Sequence, residues 1–281
     1  MTIIDYFQNL EHTISTALHE DIQQGDLTAD LIPEDATTTA TILTREESIL
    51  CGRPWVDEVF RQLDETIQIE WHYEEGDLLP ANTTFCTLKG SARSILTGER
   101  TALNLLQTLM ATAFATYRYT SQLGDSHTKL LDTRKTLPGL RLAQKYAVAC
   151  GGGKNHRIGL FDAILIKENH IMAAGGIAQA IHSAKTQHPD VTVEIEAENL
   201  EEVAMALDAG ADIIMLDNFS VEQIRQAVTF VDGRAKLEVS GNVEIEHLPT
   251  LAQTGVDFIS TGAITKHIRA TDLSMRFQAI T

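Results

Sequence analysis

The sequence has little of several features that would each point to a particular class of protein. Three cysteines occur among 281 residues, Cys51, Cys86 and Cys150, and no two of them form a C-x-x-C pair. Because they are far apart in the chain, the sequence indicates neither a disulfide framework nor a zinc site. It predicts reduced thiols in a cytoplasmic protein.

Basic residues are also few, with 22 Lys and Arg against 39 Asp and Glu and a formal net charge of −17. Nucleic acids and anionic membranes bind broad basic surfaces, so neither is an expected partner. No apolar run approaches the ~20 residues of a membrane-spanning helix. Asp5, Gln8 and Asn9 interrupt the amino-terminal stretch, which therefore lacks the pattern of a secretory signal. We expect cytoplasmic localisation.

What is present, from about residue 130 onward, is an alternation of short apolar runs and amphipathic stretches. NLEEVAMALDAG places Leu200, Val203 and Leu207 at helical spacing, with Gly210 as the cap. Repeated units of this kind predict a parallel sheet, and an α/β barrel is favoured over an open doubly wound sheet. The predicted strands are KLLD (129–132), AILIK (163–167), VTVEIEA (191–197), DIIMLD (212–217), KLEVSG (236–241) and FISTGA (258–263).

The residues before 130 have a different pattern. TTTATILTREESILCG and IQIEWHYEEGDLL alternate polar and apolar residues, as half-exposed antiparallel strands do. A long apolar stretch, 101–124, predicts a buried helix that links this region to the barrel. We expect an amino-terminal domain over 1–106 and a barrel domain over 107–266, with 267–281 packing back on the first domain.

Polar residues follow several of the predicted barrel strands, where active sites of β/α barrels lie. The acidic chain also gathers cations here, beside the glycines at 151–153, which suggests a pocket for an anion. The residues at or after the strand ends are Asp132, Thr133, Arg134, Lys135, Lys167, Glu196, Asp217, Ser240 and Thr261, and Lys154, His156 and Arg157 follow the glycines.

Each of these features also has a purely structural interpretation. The three glycines can end a helix, or their amides can form an anion-binding nest. Arg134 and Lys135 can be solvated loop charges, and His156 can be a hydrogen-bonded loop histidine, since its motif contains no acidic partner. Lys167 ends a buried strand, where an unpaired ammonium group is energetically unfavourable. A functional role for Lys167 is therefore favoured over a purely structural one. Glu196 and Asp217 can pair with cations, or they can hold a divalent ion and ribose hydroxyls.

Several segments together resemble the quinolinate phosphoribosyltransferase family, also called nicotinate-nucleotide pyrophosphorylase (carboxylating). The most specific are LDTRKTLPGLRLAQKYAV, GGGKNHRIGLFDAILIKENH and GERTALNLLQ. EDIQQGDLT, REESILCGRPWV, VEIEAENLEE, IMLDNF and GVDFISTGAIT match in the same order, so the resemblance spans nearly the whole chain.

The resemblance implies an α/β protein with an amino-terminal α/β sandwich domain and an open, TIM-like α/β barrel. It implies transfer of phosphoribosyl from phosphoribosyl pyrophosphate to quinolinate, with release of pyrophosphate and CO2, to give nicotinate mononucleotide for NAD synthesis. Magnesium is the implied cofactor. The implied assembly is a homodimer with shared active sites, and a higher oligomer is the alternative.

The resemblance also assigns roles to individual residues. Lys167, Glu196 and Asp217 would be catalytic, and Glu196 and Asp217 would bind the metal and the ribose. Quinolinate would be bound by Arg134, His156, Arg157 and Lys167, with Arg100 from the partner subunit. Thr133 and Lys135 would bind phosphoribosyl pyrophosphate, and its 5-phosphate would lie at Ser240, Gly241, Asn242, Thr261, Gly262 and Ala263.

The sequence departs from the family pattern at two places, and three other functions stay open. Asn242 stands where the family has a second glycine, and Met110 and Ala111 stand where a Ser-Gly pair is common. The alternatives are a paralogous phosphoribosyltransferase with another acceptor such as nicotinate, a barrel aldolase with Lys167 as Schiff base, and a non-catalytic anion-binding protein.

Overall fold

The computed structural model describes residues 4–241 and 243–279. Its strands are β1 (Thr37–Thr44), β2 (Ser48–Ile49), β3 (Gln68–Trp71), β4 (Leu78–Leu79), β5 (Thr83–Ser91), β6 (Lys129–Leu131), β7 (Ile164–Ile166), β8 (Val193–Ala197), β9 (Ile213–Asp217), β10 (Lys236–Ser240), β11 (Phe258–Ser260) and β12 (Leu273–Phe277). Its α-helices are α1 (Leu10–Ile22), α2 (Arg53–Leu63), α3 (Ala92–Thr120), α4 (Arg141–Cys150), α5 (Glu168–Ala174), α6 (Ile177–Gln187), α7 (Leu200–Asp208), α8 (Val221–Val231), α9 (Leu248–Ala252) and α10 (Ala263–Lys266).

The described residues form two compact units. The first unit comprises 4–117, 136–152 and 265–279, and the second comprises 118–135 and 153–264 without residue 242. The predicted division at 106/107 falls inside α3, which is one continuous helix. The predicted domain bounds stay a prediction.

The first unit contains an antiparallel sheet with the strand order β12-β1-β5-β3. β1 alternates as predicted, and its inward-facing Ala40 and Ile42 are fully buried. α2 adds Trp55, Val59 and Phe60 to the same core. The polar and apolar alternation of the sequence thus reflects one face of the sheet packed on helices.

The predicted linking helix begins earlier than expected. α3 starts at Ala92 rather than near residue 101, and it ends at Thr120 before a 3-10 turn at Ser121–Leu123. Its first turns are polar on one side and buried on the other, because Ile95 and Gly98 are spaced three residues apart. The buried part of the prediction is confirmed, since Met110 and Ala111 lie in the core.

Two of the three cysteines lie close together in the first unit. Cys51, Glu75 and Cys150 have ligand atoms within 4.8 Å of one another, although the cysteines are far apart in the chain. Neither cysteine forms a disulfide, and the Cys150 thiol donates to Oε2 of Glu75 at 3.6 Å. The Glu75 carboxylate accepts the backbone N–H of Arg53 at 2.6 Å, so it caps the first turn of α2. Burial raises the pKa of the Cys51 thiol well above its usual value.

The glycines after α4 end that helix. The N–H groups of Gly151 and Gly152 donate to the carbonyls of Ala147 and Ala149 at 3.0 Å, so these amides are engaged by the helix rather than by an anion. A Cβ on Gly151 would lie 2.3 Å from the Ala113 carbonyl oxygen. Only a glycine fits this close approach, and for these two residues the helix-stop interpretation is confirmed.

The second unit is built on a parallel sheet with the order β6-β11-β10-β9-β8-β7. All six predicted strands are present. From β7 to β11 the spatial order follows the chain, and the first strand, β6, lies beside the last. A doubly wound sheet would reverse its order at a switch point, whereas this circular order is that of a barrel. The predicted α/β barrel is therefore confirmed.

The barrel is open between β6 and β7, which are not paired with each other in the described part of the chain. On the open side of β6, Leu131 forms a parallel bridge with Lys154. The segment after the glycines therefore lies along the first strand of the barrel. No helix within residues 4–241 and 243–279 is both long enough and apolar enough to cross a membrane.

Candidate active site

The candidate site lies in the second unit, at the carboxyl ends of its strands. In the parallel register Glu196 of β8 is opposite Met215, and Asp217 of β9 is opposite Ser240 of β10. Residues in register on parallel strands point to the same side of the sheet. The predicted acids and the predicted phosphate residue Ser240 therefore face one side, as barrel active sites require.

Asp132, the residue after β6, anchors the segment that carries the predicted cations. It is fully buried. Its carboxylate accepts the side-chain N–H of Asn155 and the backbone N–H of His156, both at 2.8 Å. The backbone N–H of Asp132 donates to the Lys154 carbonyl at 3.2 Å. These bonds hold residues 154–156 beside the first barrel strand.

His156 does have an acidic partner, contrary to the sequence-based expectation. Its Nδ1 accepts the backbone N–H of Arg157 at 2.8 Å, so the ring proton lies on Nε2. Nε2 lies 2.8 Å from Oε2 of Glu194 and 3.7 Å from Oε2 of Glu238. The side chains of Glu194 and Glu238 are 3% and 0% exposed. The expectation failed because both acids are on distant strands rather than in the histidine's own motif.

The two arginines predicted for quinolinate lie close together. Burial and then the positive charge of Arg134 lower the pKa of Arg157. Nε of Arg134 is fully buried. The loop after Arg157 is shaped by Asp162, whose carboxylate accepts the N–H groups of Ile158 and Gly159 at 2.7 and 2.9 Å. The guanidinium groups of Arg134 and Arg157 thus lie close together in a partly desolvated part of the site.

Lys167 is paired and half-exposed rather than buried and unpaired. Its side chain is 47% exposed, and its Nζ donates to Oε1 of Glu196. The strand-end position had suggested burial, but β7 is the edge strand of an open barrel and its end faces solvent. The backbone N–H of Lys167 donates to His170 at 3.0 Å, which fixes the start of α5.

Asp217 is held by its neighbour in the chain. Nδ2 of Asn218 donates to Oδ2 of Asp217 at 3.0 Å, and Asn218 has a left-handed backbone. Gly241 has φ +117°, and a Cβ there would lie 2.7 Å from Oδ1 of Asn218. The loop after β10 therefore needs a glycine to leave room for Asn218. The predicted contact from Asn242 lies outside the described residues.

The residues predicted to bind phosphate are assembled around the ends of β6 and β11. A Cβ on Gly262 would lie 2.8 Å from Cδ of Lys135 and 3.2 Å from Oγ1 of Thr133. Thr261 is buried, and its hydroxyl accepts the N–H of Ala263 at 3.2 Å. The structure thus brings Thr133, Lys135 and Gly262 together.

Arg100 belongs to the first unit, on α3. Its side chain is 62% exposed, and its Nη2 lies 3.9 Å from Oε1 of Glu99. An exposed guanidinium with this distant partner has room to contact another molecule.

Sequence reasoning missed two residues that shape the site, the buried Glu238 and the bracing Asn218, and it named Asp132 at a strand end without its anchoring role. Glu238 has a recognisable signal, because KLEVSG places an acid inside an apolar strand and two residues before Ser240, hence on the same face. Asp132 and Asn218 act through backbone geometry, which the sequence does not display.

The fold and the site define an α/β-barrel protein that gathers guanidinium, ammonium, carboxylate and hydroxyl groups at its strand ends. Residues 26–110 match the family model described as quinolinate phosphoribosyl transferase, N-terminal domain. Residues 111–276 match the corresponding C-terminal domain. The chain belongs to the quinolinate phosphoribosyl transferase family, as its resemblance implied.

Relatives and solved structures agree with this membership. The chain is 41% identical over 257 residues to a probable nicotinate-nucleotide pyrophosphorylase (carboxylating) of Bacillus subtilis, covering 91% of this chain and 89% of that one. A Mycobacterium leprae enzyme named nicotinate-nucleotide pyrophosphorylase (carboxylating) is 37% identical, with 96% and 97% covered. The solved nicotinate-nucleotide pyrophosphorylase of Francisella tularensis is similar at a TM-score of 0.94 and 54% identity, with 98% of each chain covered. The chain is therefore a phosphoribosyl-transferring enzyme by family, which argues against the aldolase and the non-catalytic alternatives.

Proposed function

We propose that the protein transfers phosphoribosyl from phosphoribosyl pyrophosphate to the ring nitrogen of quinolinate and releases pyrophosphate and CO2, with nicotinate mononucleotide as the product. Family membership supports the reaction class. The names of the relatives support the acceptor and the decarboxylation.

One observation of the site supports this acceptor most directly. Arg157 is desolvated beside Arg134, and both effects disfavour its charged form. Such a pair is stabilised by a ligand that brings negative charge, and quinolinate carries two carboxylates. A guanidinium binds a carboxylate through two parallel hydrogen bonds, so two arginines suit this dianion. His156 and Lys167 complete the proposed acceptor site.

The co-substrate is assigned to the loops after β6, β10 and β11. Thr133, Lys135 and Gly262 already lie together, and they offer a hydroxyl, an ammonium and close backbone approach to phosphate. The loops after β10 and β11 are the usual phosphate-binding position of β/α barrels. We assign the 5-phosphate to them, through Ser240, Gly241 and Thr261 to Ala263.

Glu196 and Asp217 have donor chemistry that fits magnesium. Each carboxylate uses one oxygen within the protein, Oε1 towards Lys167 and Oδ2 towards Asn218. Oε2 of Glu196 and Oδ1 of Asp217 make no hydrogen bond to a described protein atom. Hard oxygen ligands at neighbouring strand ends suit Mg²⁺. When bound, the ion supplies charge neutralisation for the departing pyrophosphate.

The protein's own residues would contribute mainly by electrostatics and positioning. As pyrophosphate leaves, positive charge develops on the ribose, and the carboxylates of Glu196 and Asp217 stabilise it. A contact of this kind contributes about 3–4 kcal/mol to the barrier, by comparison with removal of one oxyanion-hole donor. After the ring nitrogen is alkylated, its positive charge stabilises the carbanion that remains when the adjacent carboxylate leaves as CO2. This carbanion then takes a proton from water to give nicotinate mononucleotide. No covalent nucleophile is required.

We further propose a homodimer in which Arg100 of the partner subunit reaches the acceptor. The exposure of Arg100 supports this role. Localisation in the cytoplasm stays a prediction from the sequence.

The assay that tests the function supplies quinolinate, phosphoribosyl pyrophosphate and magnesium to the purified protein. Nicotinate mononucleotide and labelled CO2 are measured, and nicotinate serves as the parallel acceptor. Product and CO2 from quinolinate alone support the proposal. Product from nicotinate alone would assign the protein to a paralogous transferase, and product from neither would overturn the proposed reaction.

A further inference from the structure

Two buried carboxyl groups lie beside the ring of His156, on two barrel strands that are separated by one other strand. Glu194 is on β8 and Glu238 is on β10, with β9 between them. Alternate strands contribute the side chains of one barrel layer, which explains how acids on non-adjacent strands meet. The ligand atoms of Glu194, Glu238 and His156 all lie within 4.8 Å of one another.

Most of the oxygens of this pair have no hydrogen-bond partner among the described residues. Oε1 of Glu194 and both oxygens of Glu238 are fully buried and unpartnered. Leaving a buried polar atom without a partner is costly, and native proteins rarely keep such groups without a reason. A protonated carboxyl would supply the missing donor, because its O–H can bond to the oxygen of the other carboxyl.

The single ring proton of His156 distinguishes the two acids. Nδ1 is occupied as an acceptor, so only Nε2 donates, and it lies 2.8 Å from Glu194 against 3.7 Å from Glu238. Glu194 therefore receives the ring N–H, whereas Glu238 receives no donor from the ring. Two carboxylates this close in a buried place repel each other, so one of them keeps its proton to a higher pH than an ordinary carboxyl group.

The other groups around Glu238 offset a second negative charge only in part. Its in-register neighbours on β9 and β11 are Met215 and Phe258, which are uncharged. Glu194 faces it from β8 and His156 from the loop after the glycines. Burial first, and then the charge of Glu194, raise the pKa of Glu238 to about 8, while His156 and the Ser260 hydroxyl act in the opposite direction.

We propose that Glu238 is a positioning residue for the acceptor: it keeps a proton within the pair with Glu194, so that one negative charge rather than two lies beneath His156. This arrangement orients the His156 ring through Glu194. It also lowers the electrostatic repulsion of a dianionic acceptor, because one carboxylate rather than two is charged near the ligand. The link to the acceptor rests on the proposed function, but the protonation of Glu238 does not.

The protonation is tested on the ligand-free protein by infrared difference spectroscopy. Wild type is compared with Glu238→Gln on both sides of the pKa of about 8. We expect the carbonyl stretch of a protonated carboxylic acid in the wild type at the lower pH, its loss at the higher pH, and its absence from the variant. Glu238→Leu is a second variant in case the amide disturbs folding. A wild-type spectrum without this band would overturn the proposal.

The positioning role is tested by measuring quinolinate affinity against pH by calorimetry. Wild-type affinity is expected to fall on the order of tenfold as Glu238 ionises, because a second charge is added beneath the ligand. Glu238→Gln should lack this fall, and the exposed Glu222→Gln is the matched control that should retain it. Parallel curves for wild type and Glu238→Gln would refute the role.

Failure of the proposed function is distinguishable from failure of this inference. If the wild type binds no quinolinate, the proposed acceptor is wrong, and Glu238 is then judged by the infrared band and by the ¹⁵N shifts of His156. These shifts should report a proton on Nε2 in the wild type and a changed ring environment in Glu238→Gln. Unchanged shifts would refute the orienting role.

Discussion

The carboxylate of Asp132 accepts the backbone N–H of His156 at 2.8 Å, so the residue after the first barrel strand fixes the loop that carries the proposed acceptor residues. The same carboxylate holds Asn155 at 2.8 Å. One buried acid thus fixes the positions of His156 and Arg157 relative to the first barrel strand.

Asp132→Asn should therefore weaken both stability and acceptor binding. An amide can place a donor against the two N–H donors, and losing a buried charged hydrogen bond costs about 1–3 kcal/mol. We expect that loss in denaturant unfolding and a raised KM for quinolinate. The exposed Asp190→Asn is the control, and equal effects of the two substitutions would contradict the anchoring role.

Arg157→Lys should reduce acceptor affinity although it keeps the positive charge. A lysine cannot reproduce the two-donor fork, and loss of a charge-assisted hydrogen bond of about 1.5–3 kcal/mol corresponds to roughly ten- to a hundredfold in KM. Steady-state kinetics with each substrate varied will separate the effects. The exposed Arg225→Lys on α8 should behave as wild type. An unchanged quinolinate KM in Arg157→Lys would remove Arg157 from the acceptor site.

Gly241→Ala should impair use of phosphoribosyl pyrophosphate beyond the cost of backbone strain. Both Gly241 and Gly233 have positive φ, but only at Gly241 would a Cβ meet Asn218, at 2.7 Å. Each substitution should cost about 1–2 kcal/mol in stability. Only Gly241→Ala should raise the KM for phosphoribosyl pyrophosphate, because Asn218 braces Asp217. Equal KM values in the two variants would show that the brace is not needed.

The stability of the protein should depend on pH through Glu238. Its folded pKa of about 8 lies above the ordinary value of 4.5. Between these values the folded state binds more protons than the unfolded state, so this group's contribution to stability falls as pH rises through the window. Glu238→Gln should remove that fall and gain on the order of 1–4 kcal/mol over wild type at the upper end. Urea unfolding at several pH values measures this, and an identical pH slope in both proteins would argue against the raised pKa.

Mixing two inactive variants tests the shared site of the proposed dimer. In Arg100→Ala mixed with Lys167→Ala, half of the randomly formed dimers are mixed, and each has one intact site, so about a quarter of sites should recover. Activity is followed after subunit exchange has been verified by mass. If exchange occurs and activity stays absent, Arg100 does not act across the subunits.

The sequence alone determined the barrel and supplied the candidate residues of the site. The alternation of apolar strands and amphipathic helices specifies β6 to β11, because burial on both sides of a parallel sheet needs continuous apolar runs. Polar residues at the strand ends, such as Arg134 and Asp217, stand out against those runs. The family motifs supplied the reaction class. Local sequence was sufficient to predict the features that depend on hydrophobic periodicity or on a contiguous motif.

The tertiary structure alone decided which side chains meet. Glu194 and Glu238 are 44 positions apart in the numbering, and they come together only because alternate strands share a layer of the barrel. Lys167 was expected to be buried, but as the residue after an edge strand it is half-exposed and paired with Glu196. Cys51 and Cys150 likewise meet only in the fold. Such contacts depend on strand order and register, which long-range packing sets and no local segment encodes.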